Sequence, residues 1–148
     1  MGWVAGGRYT RQIMRNKLTT SLATAAPTQA AIAAYLDKGG YDRHLRQFRQ
    51  ALALQQGELL QAVARYFPKG TRATRPAGGY FVWVELPAHI DTLKVHRAAL
   101  DHGISIAPGP LFSSSGAFRN FLRLNHGHPW NADMEQGMAT LGKLLAGG

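Results

Sequence analysis

Two short apolar segments set the terms for how this chain can fold: Gly78-Gly-Tyr-Phe-Val-Trp-Val-Glu-Leu-Pro87 and Phe121-Leu-Arg-Leu-Asn125. Alternation along the first puts Phe81, Trp83 and Glu85 on one face of a strand and Tyr80, Val82 and Val84 on the other. The second carries a single charge, Arg123, inside an otherwise apolar strand. A buried guanidinium without a partner costs several kcal/mol, so Arg123 is expected to meet a carboxylate. That carboxylate comes either from the protein's own fold or from a ligand, and the sequence alone leaves both open.

The layer that covers these strands is written just before them. Tyr41, Leu45, Phe48, Leu52, Leu59, Val63 and Tyr66 recur close to a three/four spacing, which predicts an amphipathic helix from Tyr41 to Phe67. Gly57 weakens its middle by about 1 kcal/mol relative to alanine, and Pro68 and Gly70 end it. Arg43, Arg46 and Arg49 lie three apart on a neighbouring face, more often a solvated helix surface or one that meets an acidic partner domain than a contact to nucleic-acid phosphates. Downstream, Asp91 or Thr92 caps a helix running to His102, Gly103 terminates it, and Ile104-Ser-Ile-Ala forms a short strand. Pro108-Gly-Pro is a turn, Ser113-Ser-Ser-Gly116 a flexible loop, Phe118–Asn125 a strand and Asn131–Leu145 a final helix. From residue 41 onward the order is helix, strand, helix, strand, strand, helix, an α/β layer with a small sheet.

Upstream, Trp3-Val-Ala closed by Gly6-Gly7 reads as the end of a strand whose beginning lies before Met1. A basic helix over Arg8–Leu18 and a second over Thr28–Leu36 follow, with Pro27 in the first turn and Lys38-Gly-Gly40 as the stop. Residues 1 to about 40 are expected to expose apolar surface that a larger domain would cover.

Composition narrows the classes. A chain of 148 residues, 45% hydrophobic, can bury one core but not two. A net charge of +9 favours polyanions or acidic partners and says nothing about fold. With no cysteine, disulfides, thiolate zinc sites and cysteine nucleophiles are excluded, and a reducing cytoplasm is compatible. No apolar run approaches the roughly 18 to 20 residues of a membrane span, the start has no signal-peptide pattern, and Gly6 stands where a myristoylation motif needs Ser or Thr. The expectation is a soluble cytoplasmic protein with no membrane partner. His126-x-His128 lacks a third ligand, and His89, His96 and His102 follow no ligand spacing, so no metal site is expected. The Gly-Gly pairs at 6–7, 39–40 and 78–79 are turn and cap residues, none of them a phosphate-cradling loop before a helix.

Several segments together resemble a known family. Gly2-Trp-Val-Ala-Gly-Gly-Arg-Tyr9 resembles the strand after the pyridoxal-binding lysine of fold-type I aminotransferases. Gly78-Gly-Tyr-Phe81 and Gly103-Ile-Ser-Ile-Ala-Pro-Gly109 are similar to segments common to that fold. Pro27-Thr-Gln-Ala-Ala-Ile32, Tyr41-Asp-Arg-His-Leu-Arg46 and Arg123-Leu-Asn-His-Gly-His-Pro-Trp130 resemble its MocR branch, regulators that fuse a GntR-type winged helix to an aminotransferase-like domain. The resemblance implies the small C-terminal domain of a fold-type I enzyme over residues 41–148, a three-to-four-stranded sheet with helices packed on it that includes the long interdomain helix, and a remnant of the large domain over 1–40. It implies that Arg123 holds a substrate or effector carboxylate, and that Gly78, Gly79 and Tyr80 line the mouth of that pocket with Asn125 beside them.

The resemblance also implies what this chain lacks. The Ser-x-x-Lys segment would fall before Met1, so no catalytic residue is assigned here. Pyridoxal phosphate is implied for the full-length parent, with no covalent attachment to this chain, and Lys17 is rejected as a substitute because it sits on a basic helix. The chain alone is expected to be inactive. Its implied partners are the N-terminal domains of the same protein, a second copy in a homodimer, and DNA only through a winged helix outside this sequence. One alternative is the corresponding segment of an active aminotransferase for an amino acid or related amine; another is a free-standing basic binding module.

Overall fold

The structure, a computed structural model, describes residues 2–147. Five helices are present in chain order: α1 (Thr10–Thr20), α2 (Ala26–Asp37), α3 (Gly40–Tyr66), α4 (Thr92–Leu100) and α5 (Ala132–Ala146). The chain forms two compact units, one up to Arg46 and the other from Gln47.

In the first unit a 3-10 turn at Gly7–Tyr9 leads into α1, and α2 starts with Pro27 in its first turn, where a missing N–H is harmless. Lys17 donates a 2.8 Å hydrogen bond to Thr24 on the exposed surface. The strand end expected at Trp3–Ala5 is not formed: residues 2–6 pair with no strand, and an extended segment persists only where a neighbour completes its ladder. No described residue up to Arg46 is buried, and Trp3 and Leu22 are 91% and 78% exposed, the apolar exposure expected of this stretch.

The second unit holds a four-stranded sheet of β1 (Arg72–Ala73), β2 (Phe81–Glu85), β3 (Ala107–Pro108) and β4 (Phe121–Asn125), in the order β1-β2-β4-β3 with every pair antiparallel. The central pair aligns Val82 with Leu124, Trp83 with Arg123 and Val84 with Leu122. Period-two alternation therefore collects Val82, Val84, Leu122 and Leu124 on one face, all buried. That face packs under Leu59, Ala62 and Val63 of α3, Val95 and Ala99 of α4, and Met138, Leu141 and Leu145 of α5. The opposite face is left open, and it carries Arg123.

Caps and polar clamps fix the helices to the sheet. Asp91 caps α4 by accepting from the Leu93 N–H and pairs with Arg119 at 2.7 Å, while the Thr92 N–H and hydroxyl both donate to the Arg119 carbonyl. Asn131 caps α5 through the Met134 N–H. Glu135, one turn into α5, accepts from Tyr66 and Arg65 at the end of α3 and from the Trp130 indole. These three donors, Tyr66 first, hold its carboxyl below the usual range.

Two expected elements differ in extent. The strand expected over Ile104–Ala107 is found only at Ala107–Pro108, because only these two residues pair with β4, and a 3-10 turn at Gly109–Phe112 follows Pro108. Phe118 does not begin the last strand; its φ of +63° makes it a turn, and β4 starts at Phe121.

Candidate functional site

On the open face of the central pair, Phe81, Trp83 and Glu85 of β2 lie beside Phe121, Arg123 and Asn125 of β4. The segment between β3 and β4 brings two further rings to this face. Gly109 passes so close to Phe118 that an added Cβ would lie 2.2 Å from the Phe118 carbonyl oxygen. With the segment held in, Trp83 meets Phe112 at 5.5 Å and Phe118 at 5.7 Å edge-on, and stacks on Phe121 at 5.6 Å. Such pairs add to the burial of their own area.

Arg123 lies within this cluster. Its guanidinium carbon sits over the Phe81 ring at 4.1 Å and over the Phe112 ring at 4.2 Å. Its Nε is buried with no hydrogen-bond partner. Among the described residues the ion pairs are Arg65–Glu135, Arg72–Glu85 and Arg119–Asp91, so no carboxylate of this fold neutralises Arg123. Glu85, on the same face, faces Arg72 at 3.6 Å. The aromatic faces supply partial compensation, but a buried donor still needs an acceptor. Of the two sources of a carboxylate left open by the sequence, the acidic residues among those described do not supply one.

The other named residues lie at the end of the same strand pair. Tyr80 precedes β2, its carbonyl accepts from the His126 N–H at 2.8 Å, and its ring rests against Phe48 and Phe81. Asn125 is in register with Phe81, and its side chain accepts from the Gly127 N–H at 2.7 Å. Asn125 thus shapes the turn after β4, an interaction local to asparagine that needs no ligand. Gly78 and Gly79 line a cleft of about 250 Å³ with Arg49, Gln56, Pro76 and His126. The structure therefore brings Tyr80 and Asn125 together near Arg123, whereas the glycine pair opens onto a separate cleft.

Sequence reasoning missed two participants. Phe112 follows a Pro-Gly-Pro turn, and nothing local says which strand that turn packs on. His126, set aside as a weak metal-ligand candidate, is 2% exposed with neither ring nitrogen hydrogen-bonded. Burial lowers its pKa below the usual histidine range, outweighing opposing pulls from its own backbone and from that of Leu52. The charged group lining the same cleft is Arg49 from α3, which also opposes a second positive charge.

Protonation of His126 is thus disfavoured in the folded state and unhindered in the unfolded chain. Stability is complete above the unfolded value near 6.5 and declines as pH falls from there towards the lowered folded value. Urea titrations at pH 7.0 and 5.5 should show a less stable protein at the lower pH, and His126→Phe should flatten the difference. Asp91 and Glu135, also lowered, act in a separate window near and below their ordinary values of 3.8 and 4.5. An equal pH slope in wild type and His126→Phe would remove His126 as the cause.

The lysines of this unit are placed elsewhere. Lys69 lines a cleft with Phe67 and Arg75, and Lys94 and Lys143 line another with His89. Among the described residues from Gln47 onward, none of these lysines lines a cleft with Arg123. Among all the described residues there is no cluster of three or more metal-ligating side chains, and no helix long and apolar enough to cross a membrane.

The profile of the aminotransferase class I and II family matches residues 1–141. This chain belongs to that family. The uncharacterized HTH-type transcriptional regulator YdcR of Escherichia coli (strain K12) is 41% identical over 98% of this chain and 31% of its own length. The 2-aminoadipate transaminase of Thermus thermophilus is 34% identical over 74% of this chain and 28% of its own. Among solved structures, the multiple substrate aminotransferase of Thermococcus profundus superposes with a TM-score of 0.83 at 27% identity, covering 95% of this chain and 35% of that one. The chain thus spans about a third of the length of these relatives. As a member of the aminotransferase class I and II family, it has the expected fold, an α/β layer with helices on one face of a small antiparallel sheet.

Proposed function

We propose that this chain is the C-terminal effector-binding part of a MocR/GntR-type transcriptional regulator, and that Arg123 takes the carboxylate of the effector. The observation that carries the reading is the half-buried Arg123, whose buried Nε has no hydrogen-bond partner and which no acidic residue among those described neutralises. A planar fork of donors suits a carboxylate bidentately, where a lysine would offer only a point charge. Tyr80 and Asn125 shape the end of the strand pair next to it, while Gly78 and Gly79 line a separate cleft. The likeness to YdcR, named as an HTH-type regulator, supports the regulator over the enzyme.

In this reading the chain works in the cytoplasm within a longer protein, the first 40 residues belonging to a large domain and residues 41–148 to the small one. That protein forms a homodimer and reaches DNA through a winged helix outside this sequence. Pyridoxal phosphate, if bound by the longer protein, would supply an electron sink at an amine carbon, and Arg123 of this chain would hold the carboxylate beside it. An effector changes transcription only by favouring one dimer arrangement over another. The second reading, the same segment of an active aminotransferase, draws on the 34% identity to 2-aminoadipate transaminase and assigns Arg123 to a substrate instead.

Both readings require carboxylate binding at Arg123. Acetate titrated into the ¹⁵N-labelled chain should shift the Arg123 Nε–H signal. Arg123→Gln should abolish binding, and Arg123→Lys should weaken it by about tenfold or more through loss of the bidentate pair. Acetate binding unchanged in Arg123→Gln would sink both readings.

A further inference from the structure

We propose that Phe81 and Phe112 make the Arg123 site a slot for flat anions, which admits carboxylates and rejects tetrahedral oxyanions such as sulfonates and phosphates. The proposal rests on Arg123 as the anion-binding group and adds what selects the anion. A guanidinium is planar, and all its N–H bonds point outward in that plane. The two phenyl faces stand 4.1 and 4.2 Å from the guanidinium carbon, which is van der Waals contact and leaves no room for an atom between. An anion must therefore approach along the N–H edges.

Anion shape then decides. A carboxylate is flat and completes two parallel hydrogen bonds in the guanidinium plane. A sulfonate or phosphate that makes the same two bonds has to project its remaining oxygens out of that plane, towards the rings. Those oxygens would then face the negative π-surfaces and lose water without gaining a donor.

Both walls are held in place. Phe81 is fixed by its ladder register with Asn125 and by the Tyr80 ring at 6.4 Å. Phe112 is wedged edge-on against Trp83 at 5.5 Å, and its segment is anchored where Gly109 meets Phe118. Phe118 adopts a φ of +63°, a conformation a bulky residue accepts only when its surroundings impose it. Phe118 also packs edge-on against Phe121 at 5.4 Å, which ties the segment to β4, the strand that carries Arg123. Each wall is 42% exposed, so the slot opens to solvent.

The test compares acetate, methanesulfonate and inorganic phosphate on the ¹⁵N-labelled 148-residue chain at constant ionic strength, following the Arg123 Nε–H. Acetate is expected to bind about tenfold more tightly than methanesulfonate, with phosphate no better than methanesulfonate. Phe112→Ala should bring the acetate-to-methanesulfonate ratio to within about twofold while Arg123-dependent acetate binding persists. If Phe112→Ala fails to fold, Phe112→Leu serves, and its expected ratio lies between the two. Acetate and methanesulfonate binding alike in wild type, both lost in Arg123→Gln, overturns the slot and leaves Arg123 as an anion site. A ratio unchanged by removing the Phe112 ring also overturns it. Acetate binding that ignores Arg123 overturns the functional reading itself.

Discussion

Replacing Gly142 with alanine should destabilise the protein by about 1–3 kcal/mol, the cost of forcing extra atoms into a packed interior. Gly142 lies in α5 where that helix crosses the end of α3, and an added Cβ would stand 2.3 Å from the Tyr66 carbonyl oxygen and 2.9 Å from the Tyr66 Cβ. The first of these neighbours is backbone and cannot swing aside. Two effects compete, since alanine is better than glycine inside a helix by about 1 kcal/mol. The clash wins because relief requires α3 and α5 to separate, which also loosens Glu135 from Tyr66 and Arg65. Gly57 in α3 is the control: nothing lies within 4 Å of a Cβ added there. Gly57→Ala should therefore stabilise by up to about 1 kcal/mol. Urea denaturation of both variants decides the matter, and a Gly142→Ala protein as stable as wild type would refute the packing account.

Gly109→Ala should dismantle the aromatic wall beside Arg123 while leaving the helix-covered core formed. The added methyl would meet the Phe118 carbonyl oxygen at 2.2 Å and the Phe121 Cβ at 2.9 Å. The segment from 109 to 118 then has to lift, which separates Phe112 from Arg123 and Trp83. A loss of about 1–3 kcal/mol is expected from overpacking. Near-ultraviolet circular dichroism should fall with the Trp83 contacts while far-ultraviolet helix signal is retained. Retention of the wild-type near-ultraviolet spectrum would show that the segment accommodates the methyl without moving.

Much of the architecture is legible in the residue pattern. The apolar stripe from Tyr41 to Tyr66 marks α3 to within a residue or two, because helical periodicity is a local property repeated over many turns. Asn131 and Asp91, short polar side chains ahead of apolar runs, mark the starts of α5 and α4 for the same reason. Alternation in Phe81–Glu85 and Phe121–Asn125 separates a covered face from an open one, and puts Arg123 on the strand where it stands. The two-residue strand β1 is not legible, since a segment that short shows no period and exists only through its pairing with Glu85 and Val84.

The site divides along the same line. The residue types determined that a guanidinium would stand in an apolar strand and demand compensation, and local pattern determined the elements around it. Only the tertiary structure decided that Arg123 finds aromatic faces instead of an acidic side chain, that Phe112 is one of them, and that the His126 ring is buried with neither nitrogen hydrogen-bonded. The physical reason is range. Periodicity, capping and turn chemistry act over a few residues, whereas the neighbours of Arg123 are set by strand register and by the close pass of Gly109 at Phe118, contacts between residues distant in sequence whose geometry no local pattern encodes.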